Sequence, residues 1–512
     1  MRTSTGREPR RKRVLIVNCY FDDARLGAAR PAKIPHSMGP AYLAGAVSRS
    51  HCDVRLYCEM ISGPLHDSHL LAWPDMLVLT GLGLALDRML HLTAYVRTLN
   101  PNVVVVAGGP AVRAFPTYCS RFFDYACSGD VEELGDVVRD CFGEPYCLGD
   151  GLPRLDLAYW TKRILHLEAS RYCNFRCDFC GLTGEGSRYH AYSLDYLERQ
   201  LRDAQPHQIV QFIDNNFYGD RAAYQDRLEM LRCLWKAKRF RGWGAIVTND
   251  FFYDEANLHA AHEAGCLALF TGLESFDSVW LDGVNKRQNT HLDPAELLRR
   301  SLRAGIVPLY GIMFDLSRRT VADLRQELDW MIGNPAITLP AFISMSVPLP
   351  GTPYFRACME EGLLLPNTRV RELEGSTLTL RPRDDLHTAT EFVRITQTLE
   401  GYGLRVVRQG LGFARRYRSV LNCLQLGITA GSTALLAAYA AATAPASWLR
   451  GQQRFDRGRT FLSTTERLDP LYQPALRVDS RYEPYFQPTM LTGPDGSLNP
   501  LLAEQTIPLA LA

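Results

Sequence analysis

No long acidic or basic run occurs in this chain of 512 residues, where 57 Lys and Arg face 55 Asp and Glu for a formal net charge of +2. Without a concentrated basic patch, nucleic acid is not the default partner. A signal-peptide cleavage site is also missing. The basic start "MRTSTGREPRRKR" runs straight into a strand-like "VLIVNCY" and reads as a frayed terminus. Nor is there a second C-x2-C pair, which a four-ligand structural zinc site would want. Most of the 14 cysteines stand singly in apolar segments. Cys19, Cys52, Cys127 and Cys266 read as small buried hydrophobes in a reducing cytoplasm, not as a secreted disulfide framework.

The length is too great for one ordinary core and predicts two or three domains. Residues 13–145 alternate apolar strand-length runs ("VLIVNCY", "DVRLYCE", "DMLVLTGL", "NVVVVAGGP") with helical spacing. That pattern predicts a parallel, doubly wound sheet covered on both faces, with glycine-bearing loops at its carboxyl ends. A linker over 146–160 leads to a second α/β series over 161–385. Its six strands begin at "ILHLEAS", "IVQFIDNNF", "GWGAIVTND", "CLALFTGLES", "IVPLYGIMFDL" and "AFISMSVPLPGT". Six strand–helix units predict a partial (β/α) barrel whose chemistry sits at the carboxyl ends of the strands. In "DPAELLRRSLRAG" Asp293 is the expected N-cap, Glu296 completes a capping box and Gly305 terminates the helix. "DEANLHAAHEAG" is bounded in the same way by Asp254 and Gly265.

Residues 386–512 are expected to be mainly helical, with one helix over "ATEFVRITQTLEGYGLRVVRQ" and an apolar one near 420–449. The latter carries no charge but is rich in Ala, Thr, Ser and Gly. It predicts a packed or membrane-resting helix, and so peripheral membrane contact, before a true span. The proline- and tyrosine-rich "PLYQPALRVDSRYEPYFQPTML" reads as an extended arm over the other domains.

The stretch "EASRYCNFRCDFCGLTG" sets Cys173, Cys177 and Cys180 at C-x3-C-x2-C spacing, directly after the first barrel strand. Zinc would want a fourth ligand, and a disulfide would use two of the three. A four-iron, four-sulfur (4Fe-4S) cluster bound by three thiolates keeps one iron open for a small molecule. The spacing, with aromatic Phe179 before the last cysteine, resembles the radical S-adenosylmethionine (SAM) enzymes. The resemblance implies that SAM chelates the open iron and is cleaved by one electron from the cluster. It extends to "TGLESFDSVWLDGVNKRQ", "FIDNNF" and "VPLPGTPYFRACMEEGLLL". By that likeness Glu274, Ser275 and Lys286, with Asp214, Asn215 and Asn216, would contact SAM. The family's turn after the fifth barrel strand is degraded here to "DLSRRT".

The front domain resembles the cobalamin-binding class of the same family through "PHSMGPAYLAGAVSRSHCDVRLYCE" and the segment from "VVVVAGGP" to "SGDVEE". The likeness implies that Gly108, Gly109 and Pro110 approach the corrin or its tail. The Asp-x-His-x-x-Gly motif that elsewhere supplies a lower axial histidine is absent, and neither His36 nor His51 has that context. The pairing of domains implies methyl transfer to an unactivated carbon, or phosphorus, of a small-molecule substrate in a natural-product or lipid pathway. An electron donor such as flavodoxin or ferredoxin would serve it. A radical rearrangement, cyclisation or oxidation without methyl transfer, and a non-catalytic iron–sulfur or corrin-binding module, are the alternatives. No catalytic side chain of the protein's own, and no substrate, is named by any run of residues.

Overall fold

The computed structural model describes residues 10–21, 38–186, 188–202, 204–442 and 472–503. Residues 1–9 of the basic start, His36, and 443–449 of the apolar stretch lie outside them.

The first sheet is parallel, formed by β1 (Lys12–Asn18), β2 (Cys52–Cys58), β3 (Met76–Thr80), β4 (Val104–Gly108) and β5 (Tyr125–Ala126), in the order β2-β1-β3-β4-β5. Alternate residues feed two cores. Leu15, Val17, Leu77 and Leu79 pack on one face, Val14, Ile16, Met76 and Val78 on the other. Burial on both faces is why these strands read as unbroken apolar runs. The order reverses at β1, between β2 and β3, so the crevice for a ligand opens where the chain leaves β1, β3 and β4.

The second sheet begins with β6 (Ile164–Leu167). A two-residue hairpin, β7 (Ser170–Arg171) with β8 (His190–Ala191), follows at its exit. The sheet continues with β9 (Ile209–Phe212), β10 (Gly242–Ile246), β11 (Cys266–Glu274), β12 (Val307–Phe314) and β13 (Phe342–Met345). All six long strands are parallel, in the order β13-β12-β11-β10-β9-β6, and β6 and β13 do not meet. The result is a half-barrel. Leu167, Phe212, Trp243, Leu269 and Tyr310 face the outer helices in one continuous core.

The helix stops and starts follow local chemistry. Asp293 accepts from the Glu296 N–H at 2.9 Å and Asp254 from Ala256, while Gly305 and Gly265 end their helices at φ +74° and +87°. The expected capping box at Glu296 does not form. Its carboxylate turns outward to Arg299 and Arg303, two cations on its own helix that outcompete one backbone N–H. The single helix expected over 389–409 is also corrected. It is two, Leu386–Thr398 and Gly403–Tyr417, broken where Leu399 and Gly401 take φ of +51° and +83°.

The apolar stretch forms helix Cys423–Ala442, packed on Gly403–Tyr417 so closely that a Cβ on Gly410 would lie 2.4 Å from Thr433. Among the described residues no helix is long and apolar enough to cross a membrane. The tail from Tyr472 runs over helix Leu86–Leu99. There the buried Asp87 carboxylate accepts from the Tyr472 hydroxyl and, at 3.1 Å, from the Thr489 N–H. It then bridges Met490 to Arg369.

Candidate active site

The three cysteines lie in the loop that leaves β7. Tyr172, just before them, takes φ +62°, a left-handed backbone that a non-glycine residue adopts only when its surroundings hold it there. Neighbouring strand ends fasten the loop. The Asn216 amide donates to Asn174 Oδ1 at 2.7 Å, the Asn285 amide to the Arg176 carbonyl at 2.8 Å, and the Asp178 N–H to the Val284 carbonyl at 3.1 Å. Tyr354, after the "VPLPGT" turn, donates its N–H to the Asp178 carbonyl at 3.0 Å. Two donors reach sulfur itself: Gln288 Nε2 lies 3.3 Å from Cys177 Sγ, and the Phe175 N–H 3.5 Å from Cys173 Sγ.

Burial pushes the Cys173 thiol up to about 11, against the Phe175 N–H, and the neighbouring Cys177 and Cys180 thiols push the same way. Cys180 is raised by burial as well. The three sulfurs are thus near enough to feel one another, and a metal centre bound there displaces thiol protons. Among the described residues no trio of His, Cys, Asp or Glu converges on a single metal ion. Three thiolates that each hold a different iron of one cluster need no such convergence. Three thiolates in one loop fit a 4Fe-4S cluster.

Glu274, at the end of β11, takes φ +67° where the register with β12 shifts. Its carboxylate pairs with Lys286 Nζ at 3.0 Å, both side chains nearly buried. Burial opposes charge on Lys286, but Glu274 and the Cys177 and Cys180 thiols outweigh it and raise its pKa. The ammonium also sits 5.6 Å from the Phe179 ring centroid. A Cβ on Gly272 would lie 2.3 Å from Glu274 Oε1, so a side chain there would displace that carboxylate.

The other residues singled out from sequence separate into two groups. Asn215 is exposed and lines the cavity described below. Asp214 is buried beneath it, accepting from the Ser170 hydroxyl at 2.5 Å and the Ala169 N–H, and burial lifts its pKa to about 6. Asn216 is buried and braces Asn174. Ser275 is fully buried, donating to Glu327 at 3.2 Å and accepting from Arg319 at 2.9 Å. The "DLSRRT" turn thus supplies Arg319 to an internal ion pair with Glu327.

A cavity of about 260 Å³ opens between the two sheets. Gly108, Gly109 and Pro110 line it from the end of β4, and Tyr172, Glu185 and Asn215 from the half-barrel. Gly109 sits at φ +90°, and a Cβ there would lie 3.0 Å from Thr80 Oγ1 and 3.2 Å from the Gly81 carbonyl. Val78, Val106 and Leu134 give the cavity an apolar wall between β3 and β4. Glycine backbone above apolar strand ends fits the flat tail of a corrin cofactor. Among the described residues no histidine lines the cavity, and His51 bonds with Ser48 and Ser50 beside the start of β2, at the far end of the sheet. Arg113 ties the two sides together, pairing with Asp130 of the front domain and with Glu185 just past Cys180, each at 2.7 Å. Tyr172 donates to the same Asp130 at 2.6 Å.

Residues 167–331 match the radical SAM superfamily. This part of the chain is a radical SAM domain. Such a domain implies a 4Fe-4S cluster and SAM. The chain is 27% identical over 335 residues to the hopanoid C-2 methylase of Rhodopseudomonas palustris (strain TIE-1), covering 61% of this chain and 62% of that one. It is 24% identical over 196 residues to the bacteriochlorophyllide d C-12(1)-methyltransferase of Chlorobaculum tepidum, covering 38% and 42%. The chain therefore spans under two thirds of the curated relatives it matches. Among solved structures it resembles the cobalamin-dependent SAM radical enzyme OxsB with aqua-cobalamin and SAM bound. The TM-score is 0.57 at 16% identity, over 83% of this chain and 72% of that one. That likeness establishes the shared fold: a Rossmann-like sheet before a radical SAM half-barrel.

Gln288, Asn174, Tyr172 and Arg113 are the residues that sequence reasoning missed. Gln288 lies two positions beyond Lys286 in the quoted "VNKRQ", so proximity was the available signal. Arg113 had none, because its partners stand 17 and 72 residues away.

Proposed function

We propose that this chain is a cobalamin-dependent radical SAM methyltransferase acting on an unactivated carbon (or phosphorus) of a lipid or natural product. The supporting observation is that one cavity is shared by the glycine loop of the front sheet and by residues flanking the cysteine loop. When bound, the cluster with SAM supplies one-electron hydrogen abstraction and cobalamin supplies the methyl group.

The chain's own contribution is placement. Cys173, Cys177 and Cys180 hold the iron, and Gln288 and the Phe175 N–H orient two of the sulfurs. Glu274, Lys286 and Asn215 would hold the polar end of SAM, while buried Asp214 and Asn216 keep the loop beneath it rigid. Gly108, Gly109 and Pro110 would receive the corrin tail. Flavodoxin or ferredoxin would deliver the electron in a reducing cytoplasm, with the apolar stretch 420–449 resting at a membrane. The hopanoid methylase relative favours a lipid carbon.

Anaerobically reconstituted protein with methyl-labelled SAM, a reductant and candidate polycyclic lipids is the test. Labelled product together with both S-adenosylhomocysteine and 5′-deoxyadenosine is expected. Formation of 5′-deoxyadenosine alone would remove methyl transfer and leave the radical step, and protein purified with iron but never cobalt would remove the corrin.

A further inference from the structure

Helix Gly403–Tyr417 carries a face that none of this chemistry uses. Its inner side is committed to the barrel: Gln409 donates to the Ile337 carbonyl and Tyr417 to the Ala336 carbonyl, each at 2.7 Å, with Val406 and Phe413 buried beside them. Its outer side presents Leu404, Val407 and Leu411, which are 76%, 41% and 68% exposed. They stand at i, i+3 and i+7, one continuous stripe of the helix. Ala414 extends the stripe, and Arg405, Arg408, Arg415, Arg416 and Arg418 are exposed around it. No Asp or Glu occurs from residue 401 to residue 455. Among the described residues, Asp329 from helix Val321–Gly333 pairs with Arg405, and no acid pairs with Arg408, Arg415, Arg416 or Arg418. The neighbouring helix Cys423–Ala442 adds an uncharged outer side with Leu435 exposed.

We propose that this face docks the enzyme on an anionic lipid bilayer, with Leu404, Val407 and Leu411 entering the acyl boundary and the arginines meeting headgroup phosphates. The charge complementarity decides the occupant. An apolar stripe of Leu404, Val407 and Leu411 flanked by exposed arginines has the composition of an interfacial helix. A protein interface of equal specificity would carry charges of both signs to set its register. A self-complementary dimer would bring the arginines of two copies together without acids to pair them.

The inference is independent of the methyl-transfer reading, and its test needs neither iron, cobalt nor SAM. The full chain is sedimented with phosphatidylcholine vesicles, with and without phosphatidylglycerol. Binding only to the anionic vesicles, reduced by salt, is expected. The triple variant Leu404→Gln, Val407→Gln, Leu411→Gln should lose binding on the order of tenfold or more. Arg408→Gln with Arg415→Gln and Arg418→Gln should abolish the preference for phosphatidylglycerol. Both variants change only exposed side chains, so circular dichroism and the unfolding midpoint should match the parent and keep the comparison valid. A parent chain that stays in the supernatant with both vesicles overturns the proposal, as does equal binding by parent and variants. A dimer in solution that the leucine variant dissolves, without vesicle binding, assigns the face to a second copy instead.

Discussion

The side-chain amide of Gln288 reaches across 3.3 Å to the sulfur of Cys177, and both groups are buried. An N–H aimed at a thiolate stabilises added negative charge, so it favours the reduced form of any cluster held there. Gln288→Leu should therefore retain iron and cluster absorbance but show a more negative midpoint potential. A potentiometric titration followed by electron paramagnetic resonance reads it directly. An unchanged midpoint with full iron content would mean that the amide only fills space.

The pair of Glu274 and Lys286 is a nearly buried ion pair, and removing one partner strands the other charge. Glu274→Gln should cost about 3 kcal/mol of stability, with much of it recovered in the double variant with Lys286→Met. Chemical unfolding of the four proteins closes the cycle. SAM affinity should fall in Glu274→Gln while bound iron is unchanged. Unaltered SAM affinity would leave the pair a purely structural role.

Asp214 imposes a pH dependence of stated sign. Its folded pKa, about 6, lies above that of an exposed carboxylate because it is buried. The unfolded state then releases this proton first as pH rises. Stability from this group is full below about pH 4 and is lost through about pH 6, worth about 3 kcal/mol at roughly 1.4 kcal/mol per pKa unit. Asp214→Asn should flatten the stability profile across that window, as urea midpoints at stepped pH would show. Parallel profiles for the two proteins would contradict the assignment.

Gly109 and Gly108 offer a matched pair. Alanine at Gly109 must occupy φ +90° and press on Thr80 and the Gly81 carbonyl, whereas at Gly108 the nearest atoms lie 3.5 Å away. Gly109→Ala should lose about 1–3 kcal/mol and weaken cobalamin binding. Gly108→Ala should be the milder change, and both should keep the iron–sulfur absorbance. Cobalamin retained at parental affinity in Gly109→Ala would move the corrin elsewhere.

Most strands of both sheets were legible as apolar runs, as "VVVVAG" and "IVPLYGIMF" illustrate, whereas the two-residue β5 was too short to leave a pattern. Asp254 and Asp293 were legible as caps because a cap is a local contact. What failed depended on competition or distance. Glu296 had arginines at i+3 and i+7 to choose over its own helix start. The break at Leu399 was signalled by Gly401, yet an apolar period running across it read as continuous. Ser275 sat in a quoted motif, but its partners Glu327 and Arg319 are 52 and 44 residues away, and spacing along a chain carries no trace of such a pairing. The cavity joining Gly109 to Asn215 lies between two domains, so no single segment could announce it.

Asp87 sets an order of events during synthesis. The Tyr472 hydroxyl and the Thr489 N–H that satisfy its carboxylate are encoded 385 and 402 positions later. At ribosomal speeds of about 5–20 residues per second, helix Leu86–Leu99 waits on the order of half a minute with that acid and the ring of His91 uncovered. Phe486, which stacks on His91 at 4.4 Å, arrives only with the same late segment. Helix Leu86–Leu99 is thus sealed by a segment translated long after it.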